Sequence, residues 1–552
     1  MTSAAAPLRI PKFRAMWSAT VFSATGTFIQ TVAGSWMMFE LTGSSTWVGL
    51  MVASATLPLL FFSLTSGALA DMFDRAKIMV IAQSIMGLSA LAMAVLSHLG
   101  RMTPALLLLL GLVLGLGGAL NLPAAQALLP DLVPRGMIAS AVALQSAAYN
   151  TARAVGPAIG GVLIVAYGPA LGFGINAVSY LALIVVLVVI APSLTARERE
   201  SASMMSATSI GIRYARFTPS FRSLLALVAV FGITSAVVQA TLPVHTDFLG
   251  GSAGTFGILL GAMGAGALLA VFIRPRVAAT TAVNTVPITI SMFGLSGILL
   301  AAAPNLWIAG LAMLLSGVFW LLTLATLNTT AQLIAPEWIR GRAMSLYTLA
   351  FAGITPLGAI LSGLIADQVG TPWTLTAFSV GSVTLGIFSP RFRVPRLEDI
   401  VAPEFTHATS AQIHDGTPIE GGPVVVLNTW VIDEKDYSEF IRVMNQLRLV
   451  RLSTGAYRWR LMRNVTDPNR ITELFANHSW EEHLAQHRRI DDSSAAVIRR
   501  AREFDRADGP LTRHLVALDI TEALDGLDFE AMVATHLDMH RHDGSIPLED
   551  LD

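Results

Sequence analysis

Long blocks of apolar residues, separated by short polar connections, fill the chain from residue 16 to residue 390. A helix of about 20 residues rises about 30 Å, which is the thickness of the hydrocarbon core of a membrane. The pattern therefore predicts twelve membrane-spanning helices. Their expected bounds are 16–39, 46–69, 78–97, 104–128, 137–165, 170–192, 222–247, 254–273, 283–303, 306–333, 343–366 and 372–390.

Basic residues lie almost only in alternate connections between these blocks. The other set of connections holds Arg101 alone. Because loops rich in Lys and Arg stay in the cytoplasm, the asymmetry predicts an even number of spans and two cytoplasmic termini. The basic residues on the predicted cytoplasmic side are Arg9, Lys12, Arg14, Arg75, Lys77, Arg135, Arg197, Arg199, Arg213, Arg216, Arg222, Arg274, Arg276, Arg340, Arg342, Arg391, Arg393 and Arg396.

The longest internal connection, 193–221, divides the predicted helices six and six. It contains a basic amphipathic stretch, 210–217, which we expect to lie along the membrane surface. The segment QALLPDLVPRG at 126–136 is echoed by QLIAPEWIRG at 332–341. We therefore expect two similar six-helix bundles, at 16–192 and 222–390, the architecture of carriers that bind substrate between two repeats.

Composition agrees with a membrane protein and marks a break near residue 395. Hydrophobic residues make up 53% of the chain and charged residues 13%, and mean hydropathy is +0.62. The net charge of −1 argues against nucleic acid as a partner, and the absence of cysteine excludes disulfides and thiolate ligands. The remaining predicted regions are an N-terminal cytoplasmic tail at 1–15, a linker at 391–420, a polar domain at 421–520 and a C-terminal tail at 521–552.

The predicted second and third helices are joined by the sequence GALADMFDRAK, at 67–77. This connection resembles the signature loop of the major facilitator superfamily, in which a glycine lets two helices approach closely. Asp71 stands at a helix end, where it can bond N–H groups or pair with Arg75 or a basic group on a facing helix. We expect this loop to act as a conformational lock, formed by Gly67, Asp71, Asp74, Arg75 and Lys77. The equivalent segment of the second half, 266–276, keeps only its two arginines.

The predicted fifth helix carries the sequence NTARAVGPAIGG, at 150–161. Its G-P-x-x-G-G core resembles the fifth-helix motif of drug:proton antiporters, and small residues with a proline permit close packing and a kink. The packing residues are Gly156, Pro157, Gly160 and Gly161. Arg153 stands about ten residues or more from either end of the span, where a charge is costly unless it is paired or hydrated. It is the leading candidate for the substrate pathway.

The chain as a whole resembles the bacterial transmembrane secretion effectors, the family of the enterobactin exporter. The resemblance rests on the fifth-helix stretch, on NAVSY at 176–180, and on C-terminal segments such as YRWRLMR at 457–463. It implies an all-α polytopic protein of the major facilitator fold in the bacterial cytoplasmic membrane. The implied function is efflux of siderophores, drugs or metabolites, with H⁺ as the coupling ion.

The residues themselves do not show proton coupling, because the predicted spans hold no Asp or Glu near their centres. A proton-driven carrier needs a titratable group that each side reaches in turn. The candidates are Asp71, Asp247 and the neighbouring His245. No G-x-x-x-x-G-K-[ST] loop occurs, which argues against ATP hydrolysis, and no other cofactor is implied.

Polar amides within the spans are further candidates for the pathway. Some must only bond neighbouring helices, at about 0.6–2 kcal/mol each. The candidates are Gln30, Asn121, Gln145, Asn150, Asn176, Gln239 and Asn328.

The region 421–520 is predicted to be a small α+β domain with the order β-α-β-β-α-β. Strands are expected at 424–431, 458–465, 471–477 and 515–518, and helices at 434–452 and from residue 480. This order indicates a ferredoxin-like fold and resembles the dimeric α+β barrels of antibiotic-biosynthesis monooxygenases. Such folds host many functions, so ligand binding, regulation and dimerisation of the carrier all remain open.

His483 and His487 have the i, i+4 spacing of a metal-binding pair. Because no acidic third ligand accompanies them, we expect a solvated helix face and no metal. The alternative to an exporter is a membrane-anchored enzyme or sensor that acts through this domain. A single helix would suffice for anchoring, so twelve helices with an internal repeat favour the exporter.

Overall fold

The computed structural model describes residues 5–72, 74–190, 204–280, 285–336, 338–392, 394, 423–507 and 509–516. The tail at 521–552 and most of the linker at 391–420 lie outside the described residues. The chain divides into two compact units. A helical unit comprises 1–211 and 219–401, and a C-terminal unit comprises 212–218 and 402–552.

Each of the twelve predicted spans overlaps at least one helix in the described part of the helical unit. The helices are α1 (Pro11–Thr42), α2 (Ser45–Met72), α3 (Arg75–His98), α4 (Pro104–Leu132), α5 (Ile138–Tyr167), α6 (Pro169–Ile190), α7 (Met204–Phe217), α8 (Pro219–Ser235), α9 (Val237–Phe248), α10 (Ala253–Thr280), α11 (Thr285–Ala301), α12 (Leu306–Ile334), α13 (Arg340–Ala352), α14 (Thr355–Val369) and α15 (Thr371–Phe388). Short 3-10 turns lie at Ala6–Arg9, Arg135–Met137 and Ser389–Phe392.

Eight helical segments within the described residues are long and apolar enough to cross a membrane. They are Ser45–Phe62, Arg75–His98, Pro104–Gln126, Pro169–Ile190, Pro219–Phe248, Ala253–Arg274, Leu306–Ile334 and Arg340–Val369. The helix Thr285–Ala301 is apolar but shorter. A polytopic membrane protein is therefore confirmed, and the number twelve stays a prediction.

Two of the predicted spans are each built from two helices rather than one. The seventh span consists of α8 and α9, which meet at Ala236, and the eleventh consists of α13 and α14, which meet at Gly353 and Ile354. Pro356 in the first turn of α14 has no N–H to continue the helix before it. The two spans touch near their breaks: a Cβ on Gly358 would lie 2.7 Å from the Cα of Ile233.

The second half repeats the helix pairing of the first half. In the first half, α1 packs on α5 and α6, α2 on α4, and α3 on α4 and α6. In the second half, α8 packs on α13 and α15, α10 on α12, and α11 on α12 and α15. Between the halves, α2 packs on α14 and α5 packs on α10. These two pairs are equivalent under the repeat.

The halves share an apolar core at one end of the unit. We call the end with the turns at Gly43, Gly168 and Gly370 the loop-43 end, and the opposite end, with the turn at Arg135–Met137, the loop-135 end. A buried cluster at the loop-43 end takes residues from both halves, among them Val32, Trp36, Val48, Val238, Leu242, Phe256 and Met313. A buried cluster at the loop-135 end, which includes Phe13, Met79, Leu128 and Leu187, comes from the first half alone.

The C-terminal unit holds an antiparallel sheet of four strands in the order β2-β3-β1-β4. Its elements are β1 (Val424–Val431), α16 (Tyr437–Thr454), β2 (Arg458–Arg463), β3 (Arg470–Asn477), α17 (Trp480–Arg488), α18 (Asp492–Arg502) and β4 (Leu511–Val516), with a 3-10 turn at Glu434–Asp436. Burial alternates along β1, and Trp430 packs with Phe440, Met444 and Leu447 of α16 in an apolar core. The predicted first strand is confirmed.

Two details of the predicted domain are refined. The last strand, Leu511–Val516, begins four residues before the predicted start at 515, because it pairs with β1 from Thr429 to Val424; residues 517–518 lie outside the described residues. The predicted helix from Trp480 is confirmed and ends at Arg488, and Asp491 caps a further helix that we did not predict, by accepting from Ser494 N.

The linker helix α7 contributes to the C-terminal unit through its second half, Ile212–Thr218. Arg213 donates a hydrogen bond of 3.4 Å to the carbonyl of Gly455, and Tyr214 is buried, which raises the pKa of its hydroxyl. This half, which we expected along the membrane surface, packs against protein.

Candidate functional site

Arg153 lies midway along α5, between the two halves. Its guanidinium carbon is 4.0 Å from the centre of the Trp320 ring, on α12. A guanidinium over an indole face is attracted to it by about 0.5–2 kcal/mol. A cation of the first half therefore meets an aromatic ring of the second half near the middle of the helical unit.

Further aromatic rings flank this contact. Phe351 meets Trp320 edge-on with ring centres 6.2 Å apart. Tyr149, one turn before Arg153, meets Phe28 edge-on at 5.4 Å and is 55% exposed. A cation with open aromatic neighbours can hold a planar or anionic substrate.

The fifth-helix glycines allow α5 to touch α1. A Cβ on Gly156 would lie 2.7 Å from the Cβ of Phe28, and one on Gly160 would lie 3.1 Å from the Cα of Ile29. The first distance is too short for a side chain, and the second would require Ile29 to shift by a few tenths of an ångström. Close packing by these residues holds the helix that carries Arg153 against its neighbour.

Gly161 faces α10 in the other half instead. A Cβ on Gly161 would lie 2.9 Å from the Cα of Gly257, and one on Gly257 would lie 2.5 Å from the carbonyl oxygen of Pro157. Nearer the middle, a Cβ on Gly264 would lie 2.7 Å from the carbonyl oxygen of Arg153. The two halves are thus in backbone contact along α5 and α10, from the loop-43 end to Arg153.

Some candidate amides hold helices of the first half together. Asn176 donates a hydrogen bond of 2.6 Å to Gln30, and both are buried between α1 and α6. Gln83 donates a hydrogen bond of 3.0 Å to Asn121, between α3 and α4. In this conformation these amides satisfy one another.

The remaining amides are more accessible. Asn150 donates to a carbonyl of its own helix at 2.9 Å, and Asn328 accepts from Gln332 at 2.7 Å. Gln239 is exposed on α9, just past the break with α8, and Gln145 is partly exposed on α5. Gln145 and Asn150 share α5 with Arg153, whereas Gln239 and Asn328 belong to the second half.

The signature loop lies at the loop-135 end. Gly67 and Asp71 are in α2, where the described residues give the backbone but not the side chains. Asp74 caps α3, with its Oδ1 accepting from the backbone nitrogens of Ala76 at 2.9 Å and Lys77 at 3.3 Å. The loop therefore fixes the start of α3.

Arg75 pairs with a residue for which we assigned no role. Its NH1 lies 2.8 Å from Oδ2 of Asp131, at the end of α4. In the second half, Arg274 at the corresponding end of α10 donates a hydrogen bond of 2.7 Å to the hydroxyl of Thr329 on α12. Each half thus joins two of its own helices here through an arginine. The repeated P-D and P-E in the sequence was the signal for Asp131.

The candidate proton sites on α9 differ in their surroundings. His245 is fully buried, and its Nε2 lies 3.0 Å from the carbonyl oxygen of Leu300. Its Nδ1 is buried without a hydrogen-bond partner in the described residues. Asp247 is exposed at the loop-43 end.

Asp367 links the halves at the loop-43 end and was missed by the sequence analysis. It lies at the end of α14 and accepts from the backbone nitrogens of Ser45 at 2.7 Å and Thr46 at 3.1 Å, and from the hydroxyl of Ser44. A carboxylate at the start of α2 satisfies free N–H groups and complements the helix dipole. An acidic residue at a helix end gave no sign that its partners lay in the other half.

The histidines of the C-terminal unit are not on a solvated helix face, so that expectation is wrong. His483 is fully buried, its Nε2 is 3.2 Å from Nε2 of His487, and its ring centre is 4.9 Å from that of His514. The short α17 packs this face against β3 and β4, which the sequence pattern did not reveal. The described residues include no group of three or more His, Cys, Asp or Glu arranged to hold a metal.

The same packing changes the proton affinity of these rings. Burial, with the nearby charges of His487, His514 and Arg451, lowers the pKa of His483 to about 3. Burial lowers the pKa of His487 to about 4, again with help from Arg451. Burial also lowers the pKa of His514. The cluster is therefore neutral at physiological pH.

The family profile and the similar proteins all point to one family of transporters. The profile of the transmembrane secretion effector family matches residues 2–522. The chain is 24% identical over 370 residues to a staphyloferrin A transporter of Staphylococcus aureus, covering 65% of this chain and 91% of the relative. It is 27% identical over 400 residues to the multidrug efflux pump Tap of Mycolicibacterium fortuitum, covering 68% and 95%. It is 26% identical over 391 residues to the enterobactin exporter EntS of Escherichia coli, covering 68% and 90%.

Solved structures share the fold. A bacterial homologue of the human lysosomal transporter Spinster, inward-facing and unoccupied, matches with a TM-score of 0.56 at 14% identity, covering 72% of this chain and 99% of that one. The POT family transporter PepTSo matches with a TM-score of 0.57 at 14% identity, covering 70% of this chain and 98% of that one. The helical unit thus has the fold of major facilitator transporters.

Proposed function

The chain belongs to the transmembrane secretion effector family of the major facilitator superfamily, and we propose that it is a secondary-active exporter working by alternating access. Its substrate would bind beside Arg153 and Trp320, between the two halves. The contact between these residues carries the proposal, because it joins the halves at mid-depth. Rocking the halves would form and break that contact as the site is exposed on each side.

The uneven packing of the halves supports an inward-facing conformation. At the loop-43 end, one apolar cluster, the α5–α10 backbone contacts and Asp367 all join them. At the loop-135 end, the buried cluster that includes Phe13 belongs to one half. Substrate would then enter from the loop-135 side.

The proposed orientation in the membrane rests on the distribution of basic residues. We propose twelve spans, with six in each half, and both termini in the cytoplasm of a bacterial cell. The loop-135 end carries Arg135 and Arg75 and would be cytoplasmic. The loop-43 end would face outward, so that an inward-open carrier could load substrate from the cytoplasm.

Small amphipathic compounds are the proposed substrates. The relatives named above are a siderophore transporter, an enterobactin exporter and a multidrug pump. Arg153 would attract the anionic oxygens of a siderophore, and the rings of Trp320, Tyr149, Phe28 and Phe351 would contact an aromatic part. Gln145, Asn150, Gln239 and Asn328 would supply hydrogen bonds after rearrangement.

Proton coupling is the proposed energy source. Asp71, Asp247 and His245 remain its candidate sites. Nδ1 of His245 is buried without a hydrogen-bond partner in the described residues, so it can accept a proton. Asp247 is exposed and would meet external solvent in the proposed orientation. A coupling site must be reached from both sides in turn, which neither position satisfies in this conformation.

Transport in inverted membrane vesicles tests the proposal. Vesicles containing the chain should accumulate siderophore or dye when their interior is made more acidic than the medium, and a protonophore should abolish the accumulation. Vesicles with Arg153→Ala should accumulate nothing at equal protein abundance. Equal accumulation in vesicles with and without the chain, over a panel of siderophores and drugs, would refute export.

For the C-terminal unit we propose a ferredoxin-like fold with a regulatory or ligand-binding role. The strand order β2-β3-β1-β4 with helices after β1 and β3 supports this fold. The alignments with the named relatives cover about two thirds of this chain, whereas the family profile extends through the C-terminal unit to residue 522. Deleting residues 405–552 should leave transport intact and change its regulation; loss of all transport with normal insertion would make the unit part of the transport machinery.

A further inference from the structure

Arg451 is a buried cation in the C-terminal unit that keeps unused hydrogen-bond donors. It lies on α16 and is 9% exposed. Its Nε donates a hydrogen bond of 3.2 Å to Oε1 of Glu473, and its guanidinium carbon lies 4.3 Å from the centre of the Phe475 ring. Within the described residues, the two terminal nitrogens of this guanidinium donate to no other group. An arginine fork normally uses them when it binds a carboxylate.

Glu473 accepts from Nε of Arg451, and its two oxygens also have other partners. Oε1 also accepts from Nε1 of Trp459 at 3.0 Å, and Oε2 accepts from Nδ2 of Asn428 at 2.7 Å. Glu473 is fully buried on the helix-covered face of β3. The network thus holds Arg451 by its inner nitrogen and leaves its outer edge free.

Three imidazoles stand on the same side of the sheet. Phe475, under the Arg451 guanidinium, is 6.3 Å from His483 between ring centres, and His483 contacts both His487 and His514. Asn477 Nδ2 lies 3.2 Å from Nδ1 of His483. If Nδ1 of His483 accepts from the amide of Asn477, then Nε2 of His483 carries the hydrogen and points at His487.

The cluster reaches the surface of the unit at one side. His483 and Arg451 are buried, whereas His487, His514 and Trp480 are partly exposed. Trp480 lies 5.3 Å from His483 and 5.7 Å from His514 between ring centres. Three partly exposed rings therefore lie close to buried His483, on the side of the sheet that also carries the buried cation.

We propose that this cluster is a binding site for a small aromatic carboxylate. Its carboxylate would take the free terminal nitrogens of Arg451 and an N–H of the histidines, and its ring would lie against Trp480 and His514. Neutral imidazoles donate hydrogen bonds without adding charge. Glu473 balances the charge of Arg451, so the free N–H groups of the guanidinium act on a monoanion as charge-assisted donors. The site is in the C-terminal unit and does not depend on the transport proposal.

Calorimetric titration of the purified full chain with benzoate tests the site. We expect one benzoate per chain, weaker binding of cyclohexanecarboxylate, which keeps the charge but not the flat ring, and no binding of benzamide, which keeps the ring but not the charge. Inorganic phosphate should compete poorly. Tight phosphate binding with no benzoate binding would overturn the assignment.

Three variants and one control separate the site from general binding to an amphipathic protein. Arg451→Lys keeps the charge but loses the fork, and His487→Phe and His514→Phe remove donors at the accessible edge. Each should weaken benzoate binding about tenfold. His478→Phe is the control, because His478 stacks on Tyr457 at 4.3 Å outside the cluster.

If Arg451→Lys fails to fold, the two histidine variants decide, since their rings are partly exposed and the Arg451–Glu473 pair is untouched. Unchanged benzoate affinity in both histidine variants would overturn the proposal. So would the same loss in the His478→Phe control.

Discussion

Asp367, at the end of α14, accepts a hydrogen bond of 2.7 Å from the backbone nitrogen of Ser45, at the start of α2. These two residues come from opposite halves of the helical unit, 322 positions apart in the sequence. In an alternating-access carrier, the end of the molecule that they join must separate in the opposite conformation. Their contact is thus expected to stabilise the closed loop-43 end.

We predict that Asp367→Asn favours opening of the loop-43 end. The variant loses the charge that complements the helix dipole and presents N–H groups to N–H donors, at a cost of about 1–2 kcal/mol, or a five- to thirtyfold shift between conformations. Spin labels on cysteines introduced at 42 and 369 should report longer distances, and the chain has no native cysteine to interfere. Arg101→Gln, which removes an exposed charge from the connection after α3 at the same end, is the control. An unaltered distance distribution in Asp367→Asn would remove Asp367 from the closing contacts.

Arg153→Ala is predicted to abolish efflux at unchanged membrane abundance. It removes the cation that lies over Trp320 and would bind anionic groups of the substrate. Efflux assays with quantitative blotting measure both quantities. Arg101→Ala, in the exposed connection after α3, should transport normally. Normal efflux in Arg153→Ala would exclude this arginine from the pathway.

Gly257→Ala is predicted to push α10 away from α5. Its new methyl would meet the carbonyl of Pro157 at 2.5 Å and the Cα of Gly161 at 2.6 Å, and backbone cannot move aside as a side chain can. We expect destabilisation by about 1–3 kcal/mol, measured by thermal unfolding in detergent. Gly118→Ala is the matched control, because a Cβ at that position meets nothing within 4 Å. Equal unfolding temperatures for the two variants would contradict the close contact.

Arg75→Asp and Asp131→Arg are each predicted to impair transport, and the double variant is predicted to recover part of it. The pair is 2.8 Å apart but partly exposed, so its contribution to stability is about 0–1 kcal/mol and the effect should fall on the conformational equilibrium. Initial transport rates of the unmodified protein, the two single variants and the double variant form a double-mutant cycle. If the double variant is as slow as the slower single variant, the pairing does not matter for transport.

The C-terminal unit is predicted to lose stability as the pH falls below about 6.5. The pKa of His483 is lowered to about 3 and that of His487 to about 4, so the folded state resists protons that the unfolded state accepts. Stability is therefore full above the unfolded pKa and falls towards acid. At about pH 5.5 the two rings together should cost about 2–3 kcal/mol.

Hydrogen exchange of β3 and α17 peptides, corrected for the intrinsic pH dependence, measures this loss in the full chain. His483→Gln should flatten the response, because one of the two rings is then absent. Protection that is constant between about pH 5.5 and 7.5 would show that the rings are not held neutral by burial.

The helices of the carrier could be predicted because each signal is local. A run of apolar residues long enough to cross a bilayer must form a helix, and alternate basic loops fix its direction. The strand Val424–Val431 could be predicted for a similar reason, since its alternation matches one buried face. The glycines of α5 predicted close packing. They did not indicate that Gly156 faces α1 while Gly161 faces α10.

The breaks at Ala236 and Gly353 could not be predicted from the pattern, because apolar residues continue through both. The helices stop there where two spans press backbone against backbone, as Gly358 does at Ile233. The burial of His483 was likewise hidden. A polar-looking helix of nine residues gives no hint that a sheet lies against its histidine face.

Local patterns in the sequence were enough to predict the long apolar helices, the position of the repeat and the arginine in the middle of the fifth predicted helix. Those properties depend on the solvation of each residue and its near neighbours. The contact of Arg153 with Trp320, the capping of a helix of the other half by Asp367, and the free donors of Arg451 near three histidines became visible only in the folded chain. Each of these depends on residues far apart in the chain, brought together by packing that no local pattern encodes.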